Sequence, residues 1–148
     1  MTNIEQIIWD NLVTESSQNN GSKEEIFDGI LKGIGNGESV AVRDGGLVLL
    51  VKSESKYIAR MHIFGSTKSP KKFLRSAVSI TKYIFENSDI NKLYGYSADK
   101  RFITAAEKTC WSYQGNLSES YKNDDGEFVD QYIVGVTRKE LNEYLRKL

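Results

Sequence analysis

The sequence predicts an α/β fold in which a mixed, mostly antiparallel sheet is flanked by helices. Three observations carry that expectation. Apolar residues recur at helical spacing near the N-terminus and again after Ser69, strand-like runs are separated by Asp-Gly and other polar turns, and residues 57–97 read as strand, helix, strand.

The elements follow in order. Ile4, Ile7, Ile8 and Leu12 form a helical stripe after Asn3, a good cap with Gln6 three residues on, which predicts an amphipathic helix over residues 4–16. The run SSQNNGS breaks it. Ser22 with Glu25 repeats the capping pattern, and Ile26, Phe27, Ile30, Leu31 and Ile34 make a second stripe that ends at Gly35 and Gly37. Strand character then takes over in SVAV (39–42) and LVLLV (47–51), joined by Arg43-Asp44-Gly45-Gly46, a strong hairpin signal. The turn KSESK leads into YIARMHIF (57–64).

After Gly65 the helical period returns, with Ser69 as cap, Pro70 at the first helical position, and Phe73, Ala77, Ile80, Ile84 and Phe85 facing inward as far as Asn87. KLYGYS (92–97) is the next strand, and a right-handed crossover makes it parallel to residues 57–64. A fourth helix runs through Phe102, Ile103, Ala106 and Cys110. SYQGNLSESY and EFVDQYIVGV pair across Lys122-Asn123-Asp124-Asp125-Gly126, and Thr137 with Glu140 caps a final helix carrying Leu141, Tyr144 and Leu145. With no repeat or linker to divide them, residues 1–148 are expected to form a single domain.

Composition narrows the function classes. A chain of 148 residues that is 39% hydrophobic buries roughly two thirds of its unfolded surface and needs no disulfide or metal to fold. Twenty basic against twenty acidic residues remove the bias that nonspecific nucleic-acid binders use, so nucleic acid is not an expected partner. One Cys and one His cannot build the usual Cys/His zinc site, and a lone Cys110 fits a reducing, cytoplasm-like compartment. No apolar run reaches membrane-spanning length, and MTNIEQIIWDN is acidic where a secretion signal is basic and then apolar, so a soluble, uncleaved protein is expected.

The parallel junction is where open α/β sheets commonly take a ligand, at the C-terminal ends of the strands. Beside it lies GSTKSPKKFLRS, in which Lys68, Lys71, Lys72 and Arg75 crowd a helix N-terminus that already carries partial positive charge. A phosphate would answer both the cations and the open amides. The alternative is a solvated basic turn. His62 shares a strand face with Ile58, Arg60 and Phe64. It reads either as a base able to accept a proton from an amine nucleophile near neutral pH or as a half-buried His satisfied by its neighbours. Tyr94 and Tyr96 share one face of the strand beside the crevice. Cys110, next to Trp111, reads as packing, and Asn123-Asp124-Asp125-Gly126 as a hairpin turn lacking the spacing of a calcium loop.

With these residues in hand, the stretch KLYGYSADKRFITAAEKTCWSYQGNLSESYKNDDGEFVDQYIVGV resembles the second half of the Gcn5-related N-acetyltransferase (GNAT) superfamily. The resemblance covers roughly residues 38–136. It implies a GNAT-like acyl-CoA N-acyltransferase fold with acetyl-CoA as co-substrate, lying in the splay of the two parallel strands. On that basis the backbone of His62, Ile63 and Phe64 would meet pantetheine, and Lys71, Lys72, Phe73, Leu74 and Arg75 the phosphates. His62, Tyr94 and Tyr96 become the catalytic candidates, and Asp99 stands where the family often has an Asn near the cofactor.

The chain departs from the family at several points. Its glycine-rich pyrophosphate loop is replaced by Ser69-Pro70-Lys71-Lys72-Phe73, its usual proton-donating Tyr by Ala106, its Gly-Phe by Cys110-Trp111, and no opening strand precedes residue 38. The Ser-Pro-basic-basic-Phe-Leu-Arg helix start is also similar to small GNAT-like proteins of tailed bacteriophages, some of them head-assembly or internal virion proteins. Two functions follow from the resemblance. One is acetyl transfer from acetyl-CoA to a small-molecule or protein amine. The other is a noncatalytic GNAT-fold module whose partners are phage virion proteins or a host component.

Overall fold

The computed structural model describes residues 1–12 and 17–148. Its elements are α1 (Asn3–Asp10), α2 (Lys23–Gly35), β1 (Ser39–Asp44), β2 (Leu47–Ser53), β3 (Ile58–Gly65), α3 (Pro70–Glu86), β4 (Lys92–Ser97), α4 (Arg101–Glu107), β5 (Ser112–Lys122), β6 (Phe128–Thr137) and α5 (Arg138–Arg146). The strands form one six-stranded sheet in the order β1-β2-β3-β4-β6-β5. β3 and β4 are parallel, whereas β1 with β2, β4 with β6 and β5 with β6 are antiparallel. This is the mixed α/β fold expected from the sequence, and among the described residues no strand precedes Ser39.

Local chemistry sets most element boundaries. Ser22 Oγ accepts from the Glu25 amide, Ser69 Oγ from the Lys72 amide, and Thr137 with Glu140 closes a reciprocal capping box. At the first helix the cap is Thr2, whose side chain accepts from Glu5 N–H, one residue before the expected Asn3. The helix anticipated over 4–16 ends its described part at Asp10, and residues 13–16 lie outside the described residues. Cys110 falls beyond α4, whose last residue is Glu107. The β5–β6 turn is closed by Asn123, whose side-chain oxygen accepts from the Asp125 and Glu127 amides, with Gly126 at φ +81°. That is a hairpin, and among the described residues no cluster of metal-ligating side chains exists.

Chain contacts group into two compact units, residues 1–53 with 61–80, and residues 54–60 with 81–148. In the first, Ile8 and Leu12 of the N-terminal segment and Phe27 of α2 pack with Val48, Leu50 and Phe64 of the sheet. All five residues of LVLLV in β2 are buried, so this strand is covered on both faces, which explains its unbroken apolar run. Trp9 meets Phe27 edge to face and carries the Lys23 ammonium over its ring at 4.1 Å.

The second unit buries Ala59, Ile84, Phe85, Ile90, Leu93, Cys110, Trp111, Val134, Val136 and Leu141. Its buried polar residue Thr81 accepts a hydrogen bond from Trp111 Nε1 at 3.0 Å. Replacing Thr81 by Val keeps the shape but removes the acceptor from a buried indole N–H, at a cost of about 1–3 kcal/mol. Thermal unfolding should show Thr81→Val destabilised and Thr81→Ser close to the parent. Equal melting temperatures for Val and Ser would show that the bond contributes nothing. Among the described residues no helix is long and apolar enough to cross a membrane.

Candidate functional site

In the first unit, β3 leaves the sheet through Gly65, the chain turns over residues 66–69, and α3 begins at Pro70. His62 and Ile63 are half-buried and Phe64 is buried, with the His62 and Phe64 rings stacked at a centroid distance of 6.1 Å. Gly65 has φ +94°, a left-handed conformation that glycine adopts without strain, and the backbone of Gly46 in the β1–β2 turn lies against its α-carbon. That turn is itself locked, since Arg43 Nε donates to the Gly45 carbonyl at 2.7 Å.

The first turn of α3 is partly self-satisfied. Pro70 has no N–H, the Lys72 amide donates to Ser69 Oγ at 3.2 Å, and the Phe73 amide donates to the Ser69 carbonyl at 3.1 Å. Among the described residues this leaves the Lys71 amide as the first-turn N–H without a partner, where the glycine-rich loop of the resembled family would present several. The cations compensate. Lys68, Lys71, Lys72 and Arg75 are exposed and have no carboxylate within 4.0 Å among the described residues, while Phe73 and Leu74 are half-buried. An uncompensated set of four cations on the positive end of a helix is electrostatically costly without an anion.

The second unit carries a separate polar cluster. Alternation along β3 and β4 puts Arg60, Lys92, Tyr94 and Tyr96 on one face, opposite to that of buried Ala59, Leu93 and Gly95. Arg60 Nη1 donates to the Tyr96 phenol oxygen at 2.8 Å and its guanidinium lies 5.7 Å from that ring. The Tyr94 hydroxyl donates to Glu54 Oε1, a residue of the β2–β3 turn. Burial, with the Glu54 carboxylate adding to it, pushes the Tyr94 hydroxyl up to about 12, so this phenol keeps its proton at neutral pH. Lys92 Nζ donates to Gln114 Oε1 at 2.7 Å.

The remaining candidates have local occupations. Asp99 accepts from the Arg101 side chain at 2.7–3.1 Å and from its amide at 2.9 Å, and Arg101 holds its carboxyl below the usual carboxylate range. Ala106 presents a methyl group where the resembled family often has Tyr, and its carbonyl accepts from Thr109 Oγ1. Burial pushes the Cys110 thiol up to about 11, which leaves it protonated and suited to packing.

Three of these residues were visible to sequence reasoning only in part or not at all. Arg60 is placed on the His62 face by alternation, but its partner Tyr96 lies 36 residues away, and Glu54 sits in a polar turn that carries no signal of its own. Lys92 reads from sequence only as the first residue of a strand.

No protein-family model matches the chain, and no curated protein matches it. Solved structures do. A variant of the spermidine N-acetyltransferase from Vibrio cholerae superposes with a TM-score of 0.74 at 13% identity, covering 99% of this chain and 96% of that one. The same enzyme in complex with CoA and spermine gives 0.70 at 15% identity over 95% and 89% of the two chains. An acetyltransferase of the GNAT family from Streptococcus pneumoniae gives 0.64 at 10% identity over 91% and 93%. At these identities the likeness is one of fold, and the fold is that of the GNAT acetyltransferases.

Proposed function

We propose that the chain is an acyl-CoA-dependent N-acyltransferase that moves an acetyl group from acetyl-CoA to a small-molecule amine. The observation that carries the reading is the first turn of α3, where exposed cations without carboxylate partners directly follow the exit of β3. Likeness of fold along nearly the whole chain to acetyltransferases, one of them in complex with CoA and spermine, supports it.

In this reading Lys71, Lys72 and Arg75, with Lys68 and the Lys71 amide, bind the phosphates, Phe73 and Leu74 form the apolar floor of the turn, and the backbone of His62, Ile63 and Phe64 meets the pantetheine arm. The acceptor's neutral nitrogen attacks the thioester carbonyl, strand amides stabilise the oxyanion, and the C–S bond breaks as the carbonyl re-forms. The nitrogen loses a proton, to His62 directly or through water, and the departing thiolate gains one. Tyr96 is the better of the two tyrosines for that second transfer. Its oxygen accepts from the Arg60 guanidinium, which is placed to stabilise charge developing there, whereas the Tyr94 proton is held by Glu54. Asp99, occupied by Arg101, is assigned the start of α4 rather than a direct bond to the co-substrate. A single, buried cysteine fits a cytoplasmic setting.

Calorimetric titration with acetyl-CoA and with desulfo-CoA tests the reading. Both are expected to bind saturably, since the phosphates rather than the thioester hold the ligand. Exchanging Lys71 and Lys72 for Glu removes two charge-assisted contacts of about 1.5–3 kcal/mol each, so affinity should fall by roughly a hundredfold or more. Both side chains are exposed, so thermal stability should hold. No binding at millimolar ligand would overturn the proposal. It would move the weight to the noncatalytic alternative, a GNAT-fold module of phage head assembly or host interaction, which at present rests on the likeness of the Ser69–Arg75 segment alone.

A further inference from the structure

The half-buried polar cluster of the second unit has an imbalance of its own. Arg60 is half-buried, yet among the described residues its guanidinium has one hydrogen-bond partner, the neutral phenol of Tyr96, and no carboxylate within 4.0 Å. Lys92 is half-buried on the same face, one register step along β4, and its ammonium is met by the neutral carbonyl of Gln114. A guanidinium carries several N–H donors, so most of Arg60's donor capacity is uncommitted within the protein. Partly desolvated cations of this kind are stabilised by an anion that they can share.

We propose that this face, with Arg60 and Lys92 as the charged contacts and the Tyr94 and Tyr96 phenols beside them, binds the carboxylate of an acceptor that also carries an amine. The inference rests on the acyltransferase reading for the acceptor's second group, but the carboxylate contact stands on this cluster alone. Charge selects the class. Among the described residues neither Arg60 nor Lys92 has a carboxylate within 4.0 Å, Glu54 being engaged by Tyr94 and Glu140 by Ser112, and a planar guanidinium pairs with a carboxylate through two parallel bonds. Two cations on this face repel a polycation, so the acceptor differs in charge from the spermine bound by the structurally similar Vibrio cholerae enzyme. Gly135 keeps the floor between Tyr94 and Ser112 low, because a Cβ there would meet the Lys92 and Gln114 side chains at 3.3 Å.

The test uses product-like probes, so that turnover is not needed. N-acetylglycine and N-acetylglutamate are titrated into the full chain beside N-acetylspermidine, with acetyl-CoA binding measured on the same preparations. The expected result is saturable binding of the acetylated amino acids, weakened at least about tenfold by Arg60→Gln and by Lys92→Gln, partly restored in Arg60→Lys, and absent for the acetylated polyamine. Acetyl-CoA affinity should not change in Lys92→Gln, a residue that the acetyl-transfer steps do not use. Binding of N-acetylspermidine in preference to the amino acids, or carboxylate binding indifferent to both substitutions, overturns the inference. If Arg60→Gln does not fold, Lys92→Gln decides. Carboxylate binding without acetyl-CoA binding supports this face while the acyltransferase reading fails, and the converse result overturns the face alone.

Discussion

Alanine at Gly65 is expected to destabilise the protein by about 3 kcal/mol or more, among the larger effects a single methyl group can have. Two costs add. The residue sits at φ +94°, where a β-carbon strains its own backbone. The new carbon would also be driven into the Gly46 carbonyl, with the Ile7 Cγ2 methyl at 3.0 Å on another side. Neither obstacle can yield cheaply, because the first is main chain in a two-residue hairpin turn and the second belongs to the side chains packed on the first unit's core. For a chain of this length the loss corresponds to a fall in melting temperature of roughly 10 °C. Gly45→Ala is the internal control. It has φ +60° but nothing within 4 Å of a Cβ, so it should cost only the conformational part, about 1 kcal/mol. Equal effects at the two positions would show that close backbone approach is not what the β3 exit requires.

Loss of the Arg138 side chain is the second large effect expected. Its Nη1 donates to the Phe85 carbonyl at 2.5 Å, and its Nη2 donates to the Ser88 and Ile90 carbonyls at 3.0 and 2.6 Å. The guanidinium lies 5.2 Å from the Phe85 ring, and the Arg138 amide donates to the Asn91 carbonyl. One side chain therefore serves the carbonyl end of α3, where helix carbonyls lack intrahelical partners and carry partial negative charge, and also the connection into β4. Arg138→Ala should cost about 2–4 kcal/mol in urea unfolding, because carbonyls beside buried Phe85 and Ile90 lose their donor. Lysine supplies the charge without the planar fork, so Arg138→Lys should fall between the two. The acceptors are neutral, so the loss should persist in high salt. An Ala variant within about 0.5 kcal/mol of the parent would show that water replaces the guanidinium at all three carbonyls.

Much of the architecture was legible because it is written in short-range patterns. Ser22 with Glu25, Ser69 with Lys72 and Thr137 with Glu140 act across three residues, and Asp44-Gly45-Gly46 closes its hairpin within the turn. The parallel relation of β3 and β4 follows from the handed crossover through a helix, a constraint of topology that needs no side-chain detail. The apolar run LVLLV announced a strand, and its burial on both faces came from the structure. The cap of the first helix is not encoded this sharply, because the competing residues are chemically alike. Thr2 and Asn3 are both good caps, and the choice of Thr2 depends on which amide lies within reach of a side-chain oxygen.

The candidate site was legible as a segment and illegible as an arrangement. Lys68, Lys71, Lys72 and Arg75 stand out in the sequence because their charges oppose the helix dipole locally. That Ser69 takes up the Lys72 and Phe73 amides, and so shifts phosphate binding toward side chains, depends on cap geometry.

The sequence by itself determined the order and kind of the elements, the caps of α2, α3 and α5, the turns, and the basic segment after β3, since periodicity, capping and charge act over one or two helical turns. Only the tertiary structure decided that Arg60 meets Tyr96, that Tyr94 meets Glu54, and that Arg138 reaches the end of α3. These partners are 36 to 53 residues apart. Which residues become neighbours at that separation is set by strand order and register, and register is fixed by burial of whole faces of the sheet at once. No local pattern around either partner encodes it.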